Sequence, residues 1–316
     1  MNSNNQNYKS TEISELVDEP DLKGLLEKVP DTEELVSSQH PINYTLDYSK
    51  VTFKSINKGE LDEYIKRIPI AIFTATLVEK DRILKKMDPL KNEDSIIKAY
   101  IKSFTVYIGR LALYPIIMVK CEQGIYRPNS IIYGCEDLCN YSKPKIAILY
   151  GIAFGLEENV QNIGDVLISE RIIPYEMVKY NNGDVIDRSH RPESSELLKN
   201  RFKEFTEWSH TFPNGKRAKS LYGPILSGEK LLNDPKRRNE FKSRYPEAIG
   251  GDMEAAGFAT SAMRYKVDWI VIKGICDWGV KKGDENHQLA ADAAISLIIA
   301  VFNDPNIFES VDIRPE

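Results

Sequence analysis

Gly250-Gly251-Asp252-Met253-Glu254-Ala255-Ala256-Gly257, followed by Val267-Asp268-Trp269-Ile270-Val271-Ile272 and Lys273-Gly274-Ile275-Cys276-Asp277-Trp278, decides how this chain is read. The run from Val267 to Ile272 is apolar and rich in β-branched residues, which marks a buried strand. A glycine pair opening a helix over Glu254, then a strand ending on Asp277, brings two carboxylates to one end of a sheet. In open α/β folds that end is where ligands bind.

Working outward, Ile70-Ala71-Ile72-Phe73-Thr74-Ala75-Thr76 is a second buried strand ending in small polar residues. The pattern predicts a helix over Glu79 to Met87, strands over Ser103 to Ile108 and Tyr114 to Cys121, and a helix over Asn129 to Tyr141. Lys145 to Tyr150 is another central strand, closed by Gly151-Ile152-Ala153-Phe154-Gly155. A strand then opens at Gly164-Asp165-Val166. Residues 181–195 read as a polar loop, and Glu196 to Trp208 as a helix. A strand over Tyr222 to Leu226 ends at Ser227-Gly228. Asp234-Pro235 starts a helix with an Asp cap and Pro at its first position. Leu289, Ala293, Leu297 and Val301 give the last helix one apolar stripe. Strands alternating with helices predict a three-layer α/β sandwich, its central mixed, twisted sheet flanked by helices. Residues 1–20 read as a disordered tail, 21–67 as a helical appendage and 68–316 as the main domain.

The 316 residues carry a net charge of −5 with both signs interspersed, so no nucleic-acid footprint is expected. No stretch is long enough to span a membrane, and the N-terminus lacks a secretion signal, which points to a cytoplasmic protein. Cys135 and Cys139 lie a helical turn apart, with no histidine cluster nearby, and read with Cys121 and Cys276 as reduced core residues. The four histidines lie in polar stretches and read as surface. Familiar phosphate-cradling, zinc-protease and nucleophile-elbow motifs are missing. The chemistry then rests on carboxylates. Glu79, Glu254 and Asp277 each follow a strand or begin a helix. An acid in a first helical turn is also accounted for by the helix dipole alone. Asp277 is harder to explain that way, because it directly follows a buried strand and precedes Trp278. An acid held against an aromatic in a partly dry site has its pKa raised, which suits a proton donor.

These pieces, in this order, resemble the nucleoside phosphorylase and nucleosidase superfamily. Ile72 to Glu79, Gly151 to Gly155, Asn162-Ile163-Gly164-Asp165-Val166, Ser227-Gly228-Glu229, Asp252-Met253-Glu254 and Cys276-Asp277 carry the resemblance. It implies that Asp277 protonates N7 of a purine and that Glu254 binds the ribose hydroxyls while Met253 packs on the sugar. Glu79 matches the acid that deprotonates the attacking water in nucleosidases. It also implies a homo-oligomer and no metal or organic cofactor. Phosphorylases of the group need a phosphate pocket. The turn at Thr74-Ala75-Thr76 lacks glycine and Ile152 is bulky and apolar, so hydrolysis is favoured over phosphorolysis. Two alternatives are a phosphate-dependent phosphorylase and a silent nucleotide-sensing domain. Where nucleosidases commonly have an aromatic residue, this chain has Lys230-Leu231. Lys230 reads as a solvated lysine or, with Arg188 and Arg191, as a ligand for a substrate phosphate. The chain resembles most the branch that contains bacterial anti-phage effectors. That likeness implies an adenine nucleoside or nucleotide as substrate and an upstream sensor or activator as partner.

Overall fold

A computed structural model describes residues 51–316 except 183, 231, 281 and 282. The expected tail, residues 21–50 of the expected appendage, and Leu231 lie outside these residues. The described residues belong to one compact unit.

The chain runs β1 (Phe53–Ser55), α1 (Lys58–Ile65), β2 (Ile70–Thr74), α2 (Leu77–Leu84), β3 (Met87–Asp88), β4 (Ile96–Ile101), β5 (Phe104–Leu111) and β6 (Tyr114–Lys120). It continues through α3 (Ile131–Ser142), β7 (Ile146–Gly155), β8 (Val166–Pro174), β9 (Val178–Asn181), β10 (Asp184–Asp187) and α4 (Glu196–Lys203). The last elements are β11 (Ser220–Ser227), α5 (Pro235–Arg244), β12 (Gly250–Asp252), α6 (Ala255–Arg264), β13 (Asp268–Asp277) and α7 (His287–Phe302). The main sheet has the order β1-β4-β5-β6-β2-β7-β12-β11-β8-β13, and β13 also pairs with β7. Parallel pairs (β2 with β6 and β7, β13 with β7) mix with antiparallel ones (β5 with β6, β12 with β7), which is the mixed sheet expected.

Side-chain alternation divides the core into two faces. Ala71 and Phe73 of β2, Ala147 and Leu149 of β7, and Val271 and Ile275 of β13 pack with Ile131 of α3 and Phe258 of α6. The alternate residues Ile70, Ile72, Ile148 and Ile272 are just as buried. On that opposite face Tyr150 donates to the carbonyl of Ala291 in α7 at 3.0 Å. Gly274 lets α7 approach closely: a Cβ there would lie 2.0 Å from the carbonyl oxygen of Ala290. The helices therefore flank the sheet on both sides.

Several elements differ from expectation. The helix expected near Glu60 forms as α1, closed by reciprocal Asn57–Glu60 capping bonds of 3.1 and 2.9 Å. It does not stand apart, because Leu61 and Ile65 enter the core and β1 pairs with β4. Residues 51–67 thus join the body of the protein, since an eight-residue helix needs an apolar face to pack on. Strand β7 continues through the glycine segment that was expected to close it, because β13 and β12 pair with it there. The expected polar loop contains β10, paired with β9. Among the described residues no helix is long and apolar enough to cross a membrane.

Candidate active site

The three sequence-derived acids lie at the C-terminal ends of β2, β12 and β13, all of them buried. Glu79 is the third residue of α2 and closes a capping box with Thr76, a first-turn role beside the helix-dipole one expected of such an acid. It is not the whole account. Glu79 Oε2 accepts the N–H groups of Ala75 at 2.7 Å and Thr76 at 2.8 Å, and Oε1 accepts that of Ile152 at 2.9 Å. The carboxylate thus ties the end of β2 to β7. It lies over Gly151, where a Cβ would stand 2.1 Å from Oε1. A carboxylate has about four acceptor sites; the three bonds leave one, on Oε1, open to a further donor.

Glu254 stands at the start of α6 but does not cap it. Its neighbours do so instead: Ala255 N–H goes to Asp252 Oδ1 at 3.1 Å and Ala256 N–H to Ser227 Oγ at 3.0 Å. Glu254 is thereby released to face the sheet, where Oε1 accepts Gly124 N–H at 3.0 Å and Oε2 meets Lys273 Nζ at 3.3 Å. Lys273 is fully buried and also lies 3.2 Å from Asp252 Oδ2, off the hydrogen-bond axis. Burial pulls the lysine pKa down, but Asp252 and Glu254 outweigh it and hold the ammonium above its ordinary value. Burial, reinforced by Glu254 and partly offset by Lys273, pushes Asp252 up to about 6.

The loop that binds Glu254 also binds Glu229. Ile125 N–H donates to the Glu229 carboxylate, and Gly124, at φ 80°, leaves no room for a Cβ beside it. Burial, with help from Glu176 and Glu254, raises the pKa of Glu229.

Asp277 ends β13 at a shift in the pairing register, opposite Phe154. The approach to it is fixed by the Asn162 to Asp165 turn: Gly164 N–H donates to Ile275 O and Ile275 N–H to Asp165 O, both at 2.8 Å. Asp165, wholly buried, binds the N–H groups of Asn162 and Lys219. Asp277 Oδ1 accepts Gly279 N–H at 2.6 Å, and the Cys276 thiol donates to Oδ2 at 3.3 Å. Trp278 lies across Gly155, where a Cβ would be 2.6 Å from its ring. Asp277 lines a cavity of about 380 Å³ together with Ile163, Cys276, Trp278 and Asn286.

Of the other expected residues, Ile152 and Met253 are half-buried beside Glu79 and Glu254. Lys230 is exposed and bridges to Glu176 at 3.2 Å; the other oxygen of Glu176 accepts the N–H of Glu229. Arg188 is exposed, its N–H bound to Met177 O. Arg191 is held by Asp187 at 2.6 Å and Glu247 at 2.9 Å, over the Tyr245 ring. It is therefore not brought to Glu79, Glu254 or Asp277 by any of these contacts. The expectation that all histidines are surface residues fails for His210, packed between Trp208 and Phe212, and for His287, part-buried near Asp277. Both are covered by side chains that their polar sequence neighbours do not announce.

Sequence reasoning missed Lys273, although a lysine inside an apolar strand carries its own signal, because a buried charge needs a partner. Gly124 gave no comparable sign, since its partners lie over a hundred residues away.

Residues 69–303 match the profile of the Phosphorylase superfamily. The chain belongs to this superfamily. Among relatives of this phosphorylase-superfamily chain, a Death domain-containing ATP nucleosidase from Amphimedon queenslandica is 26% identical over 263 residues. That match covers 76% of this chain, which spans 49% of the relative. A 5′-methylthioadenosine/S-adenosylhomocysteine nucleosidase from Maridesulfovibrio salexigens is 22% identical, covering 74% of this chain and 99% of that protein. The superfamily fold is matched by the 5′-methylthioadenosine/S-adenosylhomocysteine nucleosidase of Neisseria meningitidis in complex with methylthio-immucillin-A. Its TM-score is 0.62 at 19% identity, with 74% of this chain and 98% of that one covered. The futalosine hydrolase of Helicobacter pylori matches with a TM-score of 0.62 at 16% identity, covering 75% and 98%.

Proposed function

We propose that this chain hydrolyses the N-glycosidic bond of an adenine nucleoside or nucleotide. The coarse part, an N-glycosidase of the phosphorylase superfamily acting on purine nucleosides, rests on relatives that are purine nucleosidases. The observation that carries hydrolysis over phosphorolysis is the position of Glu79. Three backbone N–H groups converge between the end of β2 and Ile152 within β7, as an anion site requires, and a carboxylate of the chain itself fills them. A phosphate there would meet a like charge.

The register of β13 on β7 supports the placing of the substrate. Lys273, which holds Glu254, lies opposite Gly151, and Asp277 lies opposite Phe154. Three residues of strand span about 10 Å. That is the scale of a nucleoside from its sugar hydroxyls to the far edge of its base. Glu254 accepts the sugar hydroxyls and faces the ring as positive charge develops on it. Asp277 gives a proton to N7 of the base. The C1′–N9 bond breaks with its electron pair going to the purine, and water oxygen bonds to C1′. The proton of that water goes to the open site on Glu79 Oε1.

The ATP nucleosidase relative supports a nucleotide substrate; the further role of a nucleotide-depleting anti-phage effector rests on the resemblance of the sequence motifs alone. In this reading Lys230 and Arg188 meet the phosphates near the Glu229 loop, and the chain works as a homo-oligomer under an upstream sensor. Incubation with 5′-methylthioadenosine, adenosine and ATP, each with and without phosphate, tests the proposal by chromatography. The expected result is free adenine at a rate independent of phosphate. Adenine only with phosphate would make the chain a phosphorylase; nucleotide binding without adenine would make it a sensor.

A further inference from the structure

We infer that Cys276, Asp277 and His287 form a zinc site built over the acid that the proposed reaction needs. The inference rests on that reading only for its effect on activity. One ligand atom from each residue falls within 4.8 Å of the other two, and Cys276 Sγ is 3.3 Å from Asp277 Oδ2. His287 opens α7, and its Nδ1 lies 3.3 Å from Asp284 Oδ1. A carboxylate this close to Nδ1 favours the proton on that nitrogen and so leaves the Nε2 lone pair for a metal, as carboxylate partners of metal-bound histidines do. Cys276 and Asp277 are held by the pinned end of β13, while His287 is partly open to solvent, which supplies an entry path.

The donor set selects the ion. A thiolate and an imidazole disfavour magnesium and calcium, which take oxygen ligands. Zinc accepts sulfur, nitrogen and oxygen together, in a tetrahedron whose ligands stand roughly 3.3–3.8 Å apart. The cluster needs only a small contraction to reach this. Three protein ligands leave a fourth position for water, and two of the three, Cys276 and Asp277, line the cavity described above. On binding, the ion displaces the Cys276 thiol proton and the proton that Asp277 would give to N7, and both protons pass to water. The ion then occupies the carboxylate that would donate to N7, and base release stops.

The full-length chain, dialysed against zinc chloride, is expected to retain one zinc through this site. Cobalt in its place should give a thiolate-to-metal charge-transfer band in the near ultraviolet. Cys276→Ser should abolish that band, and His287→Ala should weaken metal binding by about tenfold or more. With 5′-methylthioadenosine as substrate, zinc should suppress adenine release and a chelator should restore it, whereas His287→Ala should resist zinc. No retained zinc, or uptake unchanged in both variants, overturns the site; zinc held by these residues without loss of adenine release overturns its regulatory effect. If the metal-free protein releases no adenine, the proposed reaction fails while the metal titration still decides the site.

Discussion

Lys273 Nζ lies 3.3 Å from Glu254 Oε2, both groups buried, so the carboxylate assigned to the sugar is held by a charge with no access to water. Lys273→Met leaves Asp252 and Glu254 facing each other unneutralised. Removing one partner of a buried ion pair costs about 3–5 kcal/mol. Urea denaturation should show a loss of that order, and an unchanged midpoint would remove Lys273 from the support of the site.

Asp252 gives the site a pH signature. Its folded pKa is about 6 against an ordinary 3.8, so the folded state takes up this proton first as pH falls. Between about 6 and 3.8 the folded chain carries a proton that the unfolded chain lacks, which stabilises the fold as pH drops through that window. Lys273, also raised, contributes stability that is fully present below its ordinary pKa and is lost only at strongly alkaline pH. Thermal melts at steps from pH 7 to pH 4 should therefore show wild type gaining on Asp252→Asn as the medium is acidified. A constant difference would contradict the assignment.

Gly151 is reserved for Glu79. An alanine there would put its Cβ 2.1 Å from Oε1, so the carboxylate must leave its three N–H donors. Gly151→Ala should lower kcat by about 10²–10⁴, the usual contribution of a general base. Far-ultraviolet circular dichroism should stay unchanged. Full activity in this variant would mean that the Glu79 geometry is irrelevant to turnover.

Much of this molecule is legible where the signal is local. Ile70 to Thr74 and Asp268 to Asp277 announce themselves as buried strands, and Asp234-Pro235 fixes the start of α5, where the Asp234 side chain accepts Lys236 N–H. Glu79, Glu254 and Asp277 stand out because each follows a strand. The rest depends on contacts distant in sequence. The Gly124 loop reaches Glu254 and Glu229 across more than a hundred residues, and His287 comes to lie beside Cys276 and Asp277. Glu254 looked like a helix-opening acid, yet Asp252 and Ser227 took over the capping. No periodicity shows that substitution.

The central claim is that Asp277 supplies the proton on which departure of the base depends. Asp277→Asn keeps the shape and the Gly279 bond but cannot serve as the acid. In a single-turnover assay with 5′-methylthioadenosine, adenine release should slow by about 10²–10⁴ while the melting temperature holds. Release at the wild-type rate would contradict the account.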